Sequence, residues 1–371
     1  MKILIINAEI GLGHSYYLDA FISACKKLSP AIEIDYCSLI ADKNIFRRSF
    51  WKLTEFLYYL GSRGGLVTKV YTKVRRHARS FKVPTCKINF REYDQIVVAH
   101  PLLAKTFQNT WYLHGELALP RECIIPEVKK IIVPLETQRQ RLIAVGLQSS
   151  QIVVSGLVLP VNLVANAQKA WQLRLERLKS TQSLKIGFFI SGAYPRDHIQ
   201  KIILGISSVV RLGHRVFLFA GINKRRSQKV LQMLNRQLKN QNSFLPTIAI
   251  IQDSNRFYYQ RRINELLSAL DLMVAPTHEH TTWALGLGIP IFSLFPLIGS
   301  YAEENYKFLL DARITQPLMT NSCAKNLGEI IYELQKNGTL VSMAKNGFGK
   351  YPIDGAIKSA EAVLSQKGLD L

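Results

Sequence analysis

Long apolar runs are missing from this chain. None of its 371 residues lies in an uninterrupted stretch of the roughly eighteen apolar residues that a bilayer span needs, so any membrane contact is expected to be peripheral. The apolar opening, residues 1–6, is short. Asn7, Glu9 and a glycine-rich loop follow it where a secretory signal would have a longer apolar core and a small-residue cleavage site, and the expectation is a chain that stays where it is made. Cysteine is scarce: the five, Cys25, Cys37, Cys86, Cys123 and Cys323, form no Cys-x-x-Cys pair. This argues against a disulfide scaffold and for reduced, structural thiols in a cytoplasmic protein. Internal repeats and low-complexity tracts are absent as well. Acidic residues are few, 26 Asp and Glu against 48 Lys and Arg, for a formal charge of +22. That imbalance implies a polyanionic neighbour, which can be an anionic bilayer, a nucleic acid or a phosphate-bearing substrate; a merely basic soluble surface is the plain alternative.

What remains is ordinary globular material, 48% hydrophobic and 20% charged, in a length that favours two domains. Short apolar runs alternate with helical stretches. The first series predicts strands over residues 3–6, 32–36, 95–99, 130–134 and 152–155, with a helix over 15–28. A connector over 158–181, helical over 165–179, leads to a second series. There, strands over 185–190, 216–219, 248–251 and 272–275 alternate with helices over 197–212, 229–239 and 263–270. Two successive βαβ series argue for twin Rossmann-like domains, each taking ligand at the carboxyl ends of its strands. A last helix over 355–364 is read as folding back on the first domain.

Two loops carry chemistry. Gly11-Leu12-Gly13-His14 follows the first strand and leaves amides free at a helix start, where an anion or a sugar hydroxyl can bind. Thr277-His278-Glu279-His280-Thr281-Thr282 lies between a strand and an apolar helical run, so its amides and hydroxyls can receive phosphate oxygens. His278 and His280 share a spacing that metal sites use. With no third ligand evident nearby and Glu279 read as solvated, no metal is expected. For His14 the plain alternative is a capping or structural histidine.

These pieces, with others in the right order, resemble the GT-B glycosyltransferases, in the branch that includes monogalactosyldiacylglycerol synthase and the lipid-linked N-acetylglucosaminyltransferase of peptidoglycan synthesis. Gly11, Gly13 and His14 match the family's N-terminal loop, and Ile96-Val97-Val98-Ala99-His100-Pro101-Leu102-Leu103 is similar to a strand followed by His-Pro. Val133-Pro134, Thr137, Gly146-Leu147 and the stretch 152–157 resemble the closing strands of the acceptor domain. Gly221-Ile222-Asn223-Lys224 looks like the Gly-x-Asn turn of the donor domain, and Asp271, Gly288-Ile289-Pro290 and Asn305 fall where the donor signature has them. Gly192 is the one glycine kept in the loop after the first donor-domain strand.

The resemblance implies two Rossmann-like domains facing each other across a cleft. Residues 1–160 are the acceptor domain, 161–182 a linker, 183–350 the donor domain, and 351–371 a helix returning to the first domain. It implies His14 as catalytic base, with Gly11, Gly13 and His100 near the acceptor. The donor, an NDP-sugar and by preference a UDP-sugar, falls to Gly192, Gly221, Asn223, His278, His280, Thr281, Thr282 and Asn305, with no other cofactor. An inverting transfer wants a group that titrates near neutrality beside the acceptor hydroxyl, as a histidine does.

Departures from the pattern keep other readings open. Trp283 stands where the family has a ribose-binding glutamate, and an indole accepts no hydroxyl hydrogen bond. Tyr301-Ala302 replaces a Gln-Glu pair, and Glu279 with two histidines crowds a loop that is usually glycine-rich. A relative that binds nucleotide or sugar without transfer is therefore a second reading.

The segment 46–82 carries Arg47, Arg48, Lys52, Arg63, Lys69, Lys73, Arg75, Arg76, Arg79 and Lys82 against a single acid, Glu55, interleaved with Phe46, Phe50, Trp51, Phe56, Tyr58, Tyr59, Tyr71 and Phe81. Such a mixture suits an interfacial helix on anionic lipid, with Arg47, Arg48, Trp51, Lys52, Arg75 and Arg76 as its contacts. It also suits nucleic acid, which makes an RNA-directed enzyme or RNA-binding module the third reading. The resemblance tilts the choice to a lipid or lipid-linked acceptor at the cytoplasmic, inner face of a membrane.

Overall fold

The computed structural model describes residues 1–41, 44–84, 88–180, 182–238 and 247–366, with the side chain of Arg76 excepted. Cys86, Thr181 and Lys239, named in the sequence reading, lie outside the described residues, as does the end of the expected 351–371 segment. The chain forms two compact units. The first comprises Met1–Gly61, Val70–Val164 and Tyr351–Leu371; the second comprises Ser62–Lys69 and Ala165–Lys350.

In the first unit, β1 (Lys2–Asn7), β2 (Glu33–Ser38), β3 (Gln95–Val98), β4 (Trp111–Leu113), β5 (Lys130–Val133) and β6 (Ile152–Val154) form a six-stranded sheet in the order β2-β1-β3-β4-β5-β6. Every pairing is parallel. Parallel strands covered on both faces need continuous apolar runs, and β3 and β4 are buried along their whole length. The helix Gly13–Leu28 buries Tyr16, Tyr17, Leu18, Phe21 and Ala24, and the last helix, Gly355–Leu364, packs against it. That return is tied down by the amide of Leu157 donating to the Pro352 carbonyl and that of Gly355 to Leu157, so the C-terminal helix belongs to the first unit.

In the second unit, β7 (Lys185–Phe189), β8 (Arg215–Gly221), β9 (Ile248–Gln252), β10 (Leu272–Ala275), β11 (Ile291–Leu294) and β12 (Thr315–Leu318) form another six-stranded parallel sheet, in the order β12-β11-β10-β7-β8-β9. The sequence reading did not include β4, β11 or β12.

Strand order reverses once in each sheet. The chain leaves β1 for β2 on one side and comes back to β3 on the other, and it leaves β7 for β8 and comes back through β10. Crossovers diverge at these points and leave the carboxyl ends of β1 and β3, and of β7 and β10, uncovered by connections.

The opposite edge of the second sheet is closed by charge. Arg174 is fully buried and donates to the carbonyls of Leu270 (2.7 Å) and Leu287 (2.6 Å). Arg177 pairs with Asp271 at 2.6 Å, and the other oxygen of Asp271 accepts the Lys185 amide at 2.9 Å. Asp271 therefore sits at the amino end of β10, bonded to the start of β7. The resemblance had placed it in the donor signature; its bonds make it a clasp between strands. Asp271→Ala leaves Arg177 half-enclosed and the Lys185 amide without its acceptor. The expected loss is about 3 kcal/mol, read in urea unfolding by circular dichroism, with Asp271→Asn losing less because its amide oxygen still accepts.

Candidate functional site

At the reversal in the first unit, the loop after β1 is held by a polar network. Asn7 donates from Nδ2 to Ser15 Oγ (2.9 Å) and to Tyr36 Oη (2.7 Å), while its Oδ1 accepts the Glu9 amide (3.0 Å). Tyr36 and Ser38, on β2, donate to the two carboxylate oxygens of Glu9 at 3.1 and 2.5 Å. These bonds fix Glu9 at φ 53°, a conformation rare for a residue with a side chain. Gly11 and Gly13 follow. The helix begins at Gly13 with Leu12 in the capping position, no side-chain cap and no acid in its first turn, so its leading amides have no built-in acceptor side chain.

His14 is in the first turn of that helix, half-exposed, its ring 5.0 Å from that of His100 and edge-on to it. It is hydrogen-bonded to the Ala99 backbone, and dense surroundings, with His114 and Arg75 nearby, push its imidazole down to about 3. It is neutral at pH 7. His100 is buried and caps the short helix Pro101–Thr106, its Nδ1 accepting the Leu102 amide at 3.2 Å. Burial and the neighbouring His14 hold it well below the usual histidine range. The structure thus brings His14 and His100 together, with His100 performing a capping role. His114, which the sequence reading missed, closes the group at the end of β4. Its Nε2 meets the Ala118 carbonyl at 2.8 Å and its Nδ1 the Tyr112 hydroxyl at 3.2 Å, and burial pushes it down to about 4.

At the reversal in the second unit, β10 ends in the loop Pro276 to His278, and the helix Glu279–Leu287 starts there. Thr277 donates to the Ala302 carbonyl (2.9 Å), and Asn305 donates from Nδ2 to the Thr277 carbonyl (3.1 Å). Asn305, expected at the donor, is fully enclosed and serves to hold this loop. His278 occupies the capping position without a side-chain bond to the helix. His280, Thr281 and Thr282 are buried in its first turn, and His280 Nδ1 and both threonine hydroxyls have no hydrogen-bond partner. Each such group costs about 1–3 kcal/mol, a burden that a ligand supplying oxygens would relieve.

Burial drives His278 to about 4 and His280 well down, His278 adding to the latter. It also raises Glu279 to about 7. Glu279 was read as solvated; it is half-enclosed and titrates near neutrality. Trp283 packs in the core, 5.6 Å from Phe189 and 4.7 Å from His280 by ring centres, and is not placed to meet a ribose. Gly288 ends the helix at φ 62°, where a side chain would come within 2.8 Å of Phe348 and Trp171; the Gly-Ile-Pro signature is a helix-to-strand turn.

The neighbouring loop, after β7, exposes Gly192 and carries Tyr194 at φ 51°. Tyr194 donates to the Ala220 carbonyl at 2.6 Å, and its hydroxyl lies where a side chain on Gly221, at φ 86°, would be only 2.8 Å away. Asn223 accepts the Arg226 amide at 3.1 Å and so starts the helix Lys224–Leu238. Opposite, His198 and Lys201 bond the carbonyls of Pro296 and Phe295, both at 2.8 Å, and pin the loop after β11. Among the described residues, no group of three or more His, Cys, Asp or Glu is arranged to hold a metal ion.

The expected lipid contacts divide. Lys52 is exposed, and Arg47 and Arg48 are half-buried. Trp51 is fully enclosed, 0% exposed, so its ring meets no surface. Arg75 turns inward and forms a two-bond ion pair with Glu122, at 3.0 and 2.7 Å. Arg76's side chain is outside the described residues. No helix among the described residues is long and apolar enough to cross a membrane.

No family model matches the chain, and no curated protein matches it. Solved structures do. The UDP-GlcNAc 2-epimerase of Neisseria meningitidis bound to UDP-GlcNAc is similar over 98% of this chain and 99% of its own, at 13% identity and a TM-score of 0.56. That of Methanocaldococcus jannaschii, in complex with UDP-GlcNAc and UDP, covers 99% and 100% at 13% identity and 0.56. Anabaena HepE in complex with UDP-glucose covers 98% and 99% at 14% identity and 0.51. Likeness at this identity carries the architecture: the chain has the GT-B fold, two Rossmann-like domains.

Proposed function

We propose that the chain is an NDP-sugar-dependent glycosyltransferase, with a UDP-sugar as preferred donor, acting with inversion and without a metal on a hydroxyl of a lipid or lipid-linked acceptor. The resemblance of its motifs to the galactolipid and peptidoglycan transferases of the GT-B class supports this choice of acceptor. The observation that carries the reading is the head of the helix Glu279–Leu287. It stands where strand order reverses, and the Thr281 and Thr282 hydroxyls and His280 Nδ1 are buried there without partners. A diphosphate supplies the missing oxygens, and the helix dipole favours its charge.

In the step itself, the acceptor oxygen forms a bond to the anomeric carbon while the bond from that carbon to the diphosphate breaks, its electron pair leaving with the nucleotide. The acceptor proton goes to His14. That ring, hydrogen-bonded to the Ala99 backbone, is neutral and has one nitrogen for this proton. Its depressed basicity keeps it neutral in the resting state.

UDP is expected to bind the full chain in calorimetry, and the double change Thr281→Val with Thr282→Val to weaken it roughly tenfold. His14→Ala is expected to cut transfer by about a hundredfold or more with UDP affinity kept. Transfer releases UDP only when an acceptor is present. Conversion of the donor sugar to an epimer without UDP release would overturn transfer and favour donor isomerisation. Affinity for UDP also has a stated pH sign. Glu279, raised to about 7, loses its proton as pH rises from 6 to 8, and the new carboxylate repels diphosphate. Binding is expected to weaken roughly three- to tenfold over that window, and Glu279→Gln to flatten the profile. His278, at about 4, stays neutral throughout and gives no slope there.

A further inference from the structure

The loop after β10 and the helix Glu279–Leu287 carry no fixed positive charge. Residues 276–290 include no lysine and no arginine. His280 stands edge-on to Phe189 and Trp283, ring centres 4.8 and 4.7 Å away, and this packing opposes an imidazolium there. Burial holds His278 down as well. On the turn after β8, Lys224 and Arg225 are exposed, and Arg226 donates to the Gly192 carbonyl at 3.5 Å. A diphosphate seated against the buried, unbonded Thr281 and Thr282 hydroxyls and His280 Nδ1 therefore meets hydroxyls and a helix dipole, but no cation of the helix head itself. Departure of the nucleotide adds negative charge to one diphosphate oxygen. A proton held at the same place is what this head has to offset it.

Glu279 can hold that proton. It is the first residue of the helix, half-enclosed, and next in the chain to the buried His280. An acid at this position is ordinarily ionised, because the helix dipole favours the carboxylate. Here burial outweighs the dipole, and the group titrates at about 7. Its charge bears on Tyr259, whose hydroxyl accepts the Gly221 amide at 3.1 Å, so Glu279 lies within electrostatic reach of the end of β8. Burial pushes Tyr259 up and His280 down, and neither titrates beside it between pH 6 and 8. Of the helices packed against this one, Ala302–Asp311 opens with Glu303 and Glu304, and Thr339–Gly347 carries Lys345. Burial, and not a charge on either helix, raises Glu279.

We propose that Glu279 is a catalytic acid of the donor unit, which meets the diphosphate as a neutral carboxylic acid and hands its proton to the departing oxygen. As the bond from the anomeric carbon to that oxygen breaks, the electron pair stays on the oxygen, the Glu279 proton joins it, and a carboxylate is left behind. That carboxylate repels the nucleotide diphosphate and favours its release, and water returns the proton once the site is empty. The inference rests on the donor reading of this helix head and names the group that stands there in place of a cation.

The test uses the full chain with UDP-glucose and UDP-galactose, whose diphosphate diesters do not titrate near neutrality. Calorimetry at pH 8 in two buffers of different ionisation enthalpy is expected to show uptake of about one proton on donor binding, and none in Glu279→Gln. UDP release is then followed from pH 6 to 9, with diacylglycerol micelles and with water as acceptors. The wild-type kcat is expected to fall about tenfold per pH unit above pH 7. Glu279→Gln is expected to keep its melting temperature and its donor affinity at pH 6, to lose about a hundredfold in kcat there, and to show no such fall. Glu279→Asp is expected to retain the fall at a reduced rate. Donor binding without proton uptake, uptake that persists in Glu279→Gln, or a Glu279→Gln chain with the wild-type rate and pH profile would each overturn the acid and leave the donor reading standing. Proton uptake with no UDP release to either acceptor would overturn it too, since the proton then serves binding alone. Failure of both donors and of UDP to bind would overturn the donor reading and the acid with it.

Discussion

Reversal of strand order between β7 and β10 is the constraint from which the rest of the second unit follows. Where crossovers diverge, the carboxyl ends of two parallel strands and the amides of the following helix are left without backbone partners. In this chain the helix head carries His280, Thr281 and Thr282, with His280 Nδ1 and both threonine hydroxyls buried and unbonded, and is flanked by Glu279 and His278. Folding alone gains nothing from that arrangement. Oxygen-rich anions do, which is why the helix head governs the functional reading.

The surroundings of that head are stiffened by bonds with no direct part in chemistry. Asn305 and Thr277 fix the loop from one side, and His198 and Lys201 fix the loop after β11. At the far end of the same sheet, Arg177 and Asp271 lock β10 to β7. The second unit thus has bonded loops at the carboxyl ends of its strands around the unbonded helix head, and an ion-pair clasp at the amino ends. In the first unit the loop after β1 is likewise held, with Glu9 bonded by Tyr36 and Ser38 ahead of the half-exposed His14.

Much of this plan was legible in the sequence. The alternation of apolar runs and helical stretches marked the twin α/β units, because buried parallel strands must be continuously apolar. The loops at His14 and at Thr277 to Thr282 stood out because glycine, or a cluster of hydroxyls and histidines, is unusual at the start of an apolar helix. Position within the sheet was not legible. Asp271 matches a donor motif by spacing yet lies at the wrong end of β10, and Asn305 spends its amide on a backbone carbonyl. His114 follows β4, a strand that the sequence reading did not include. Trp51 and Arg75 looked like surface residues because composition reports what a segment contains and not which side faces in.

Hydrogen exchange of the full chain with and without UDP tests the central claim most directly. Added protection over residues 277–283 and in the loop 190–194 is the expected result, since a diphosphate held by the side chains at the helix head steadies that turn and its neighbouring loop. Bound UDP that leaves both segments unprotected, or protects only the first unit, would contradict it.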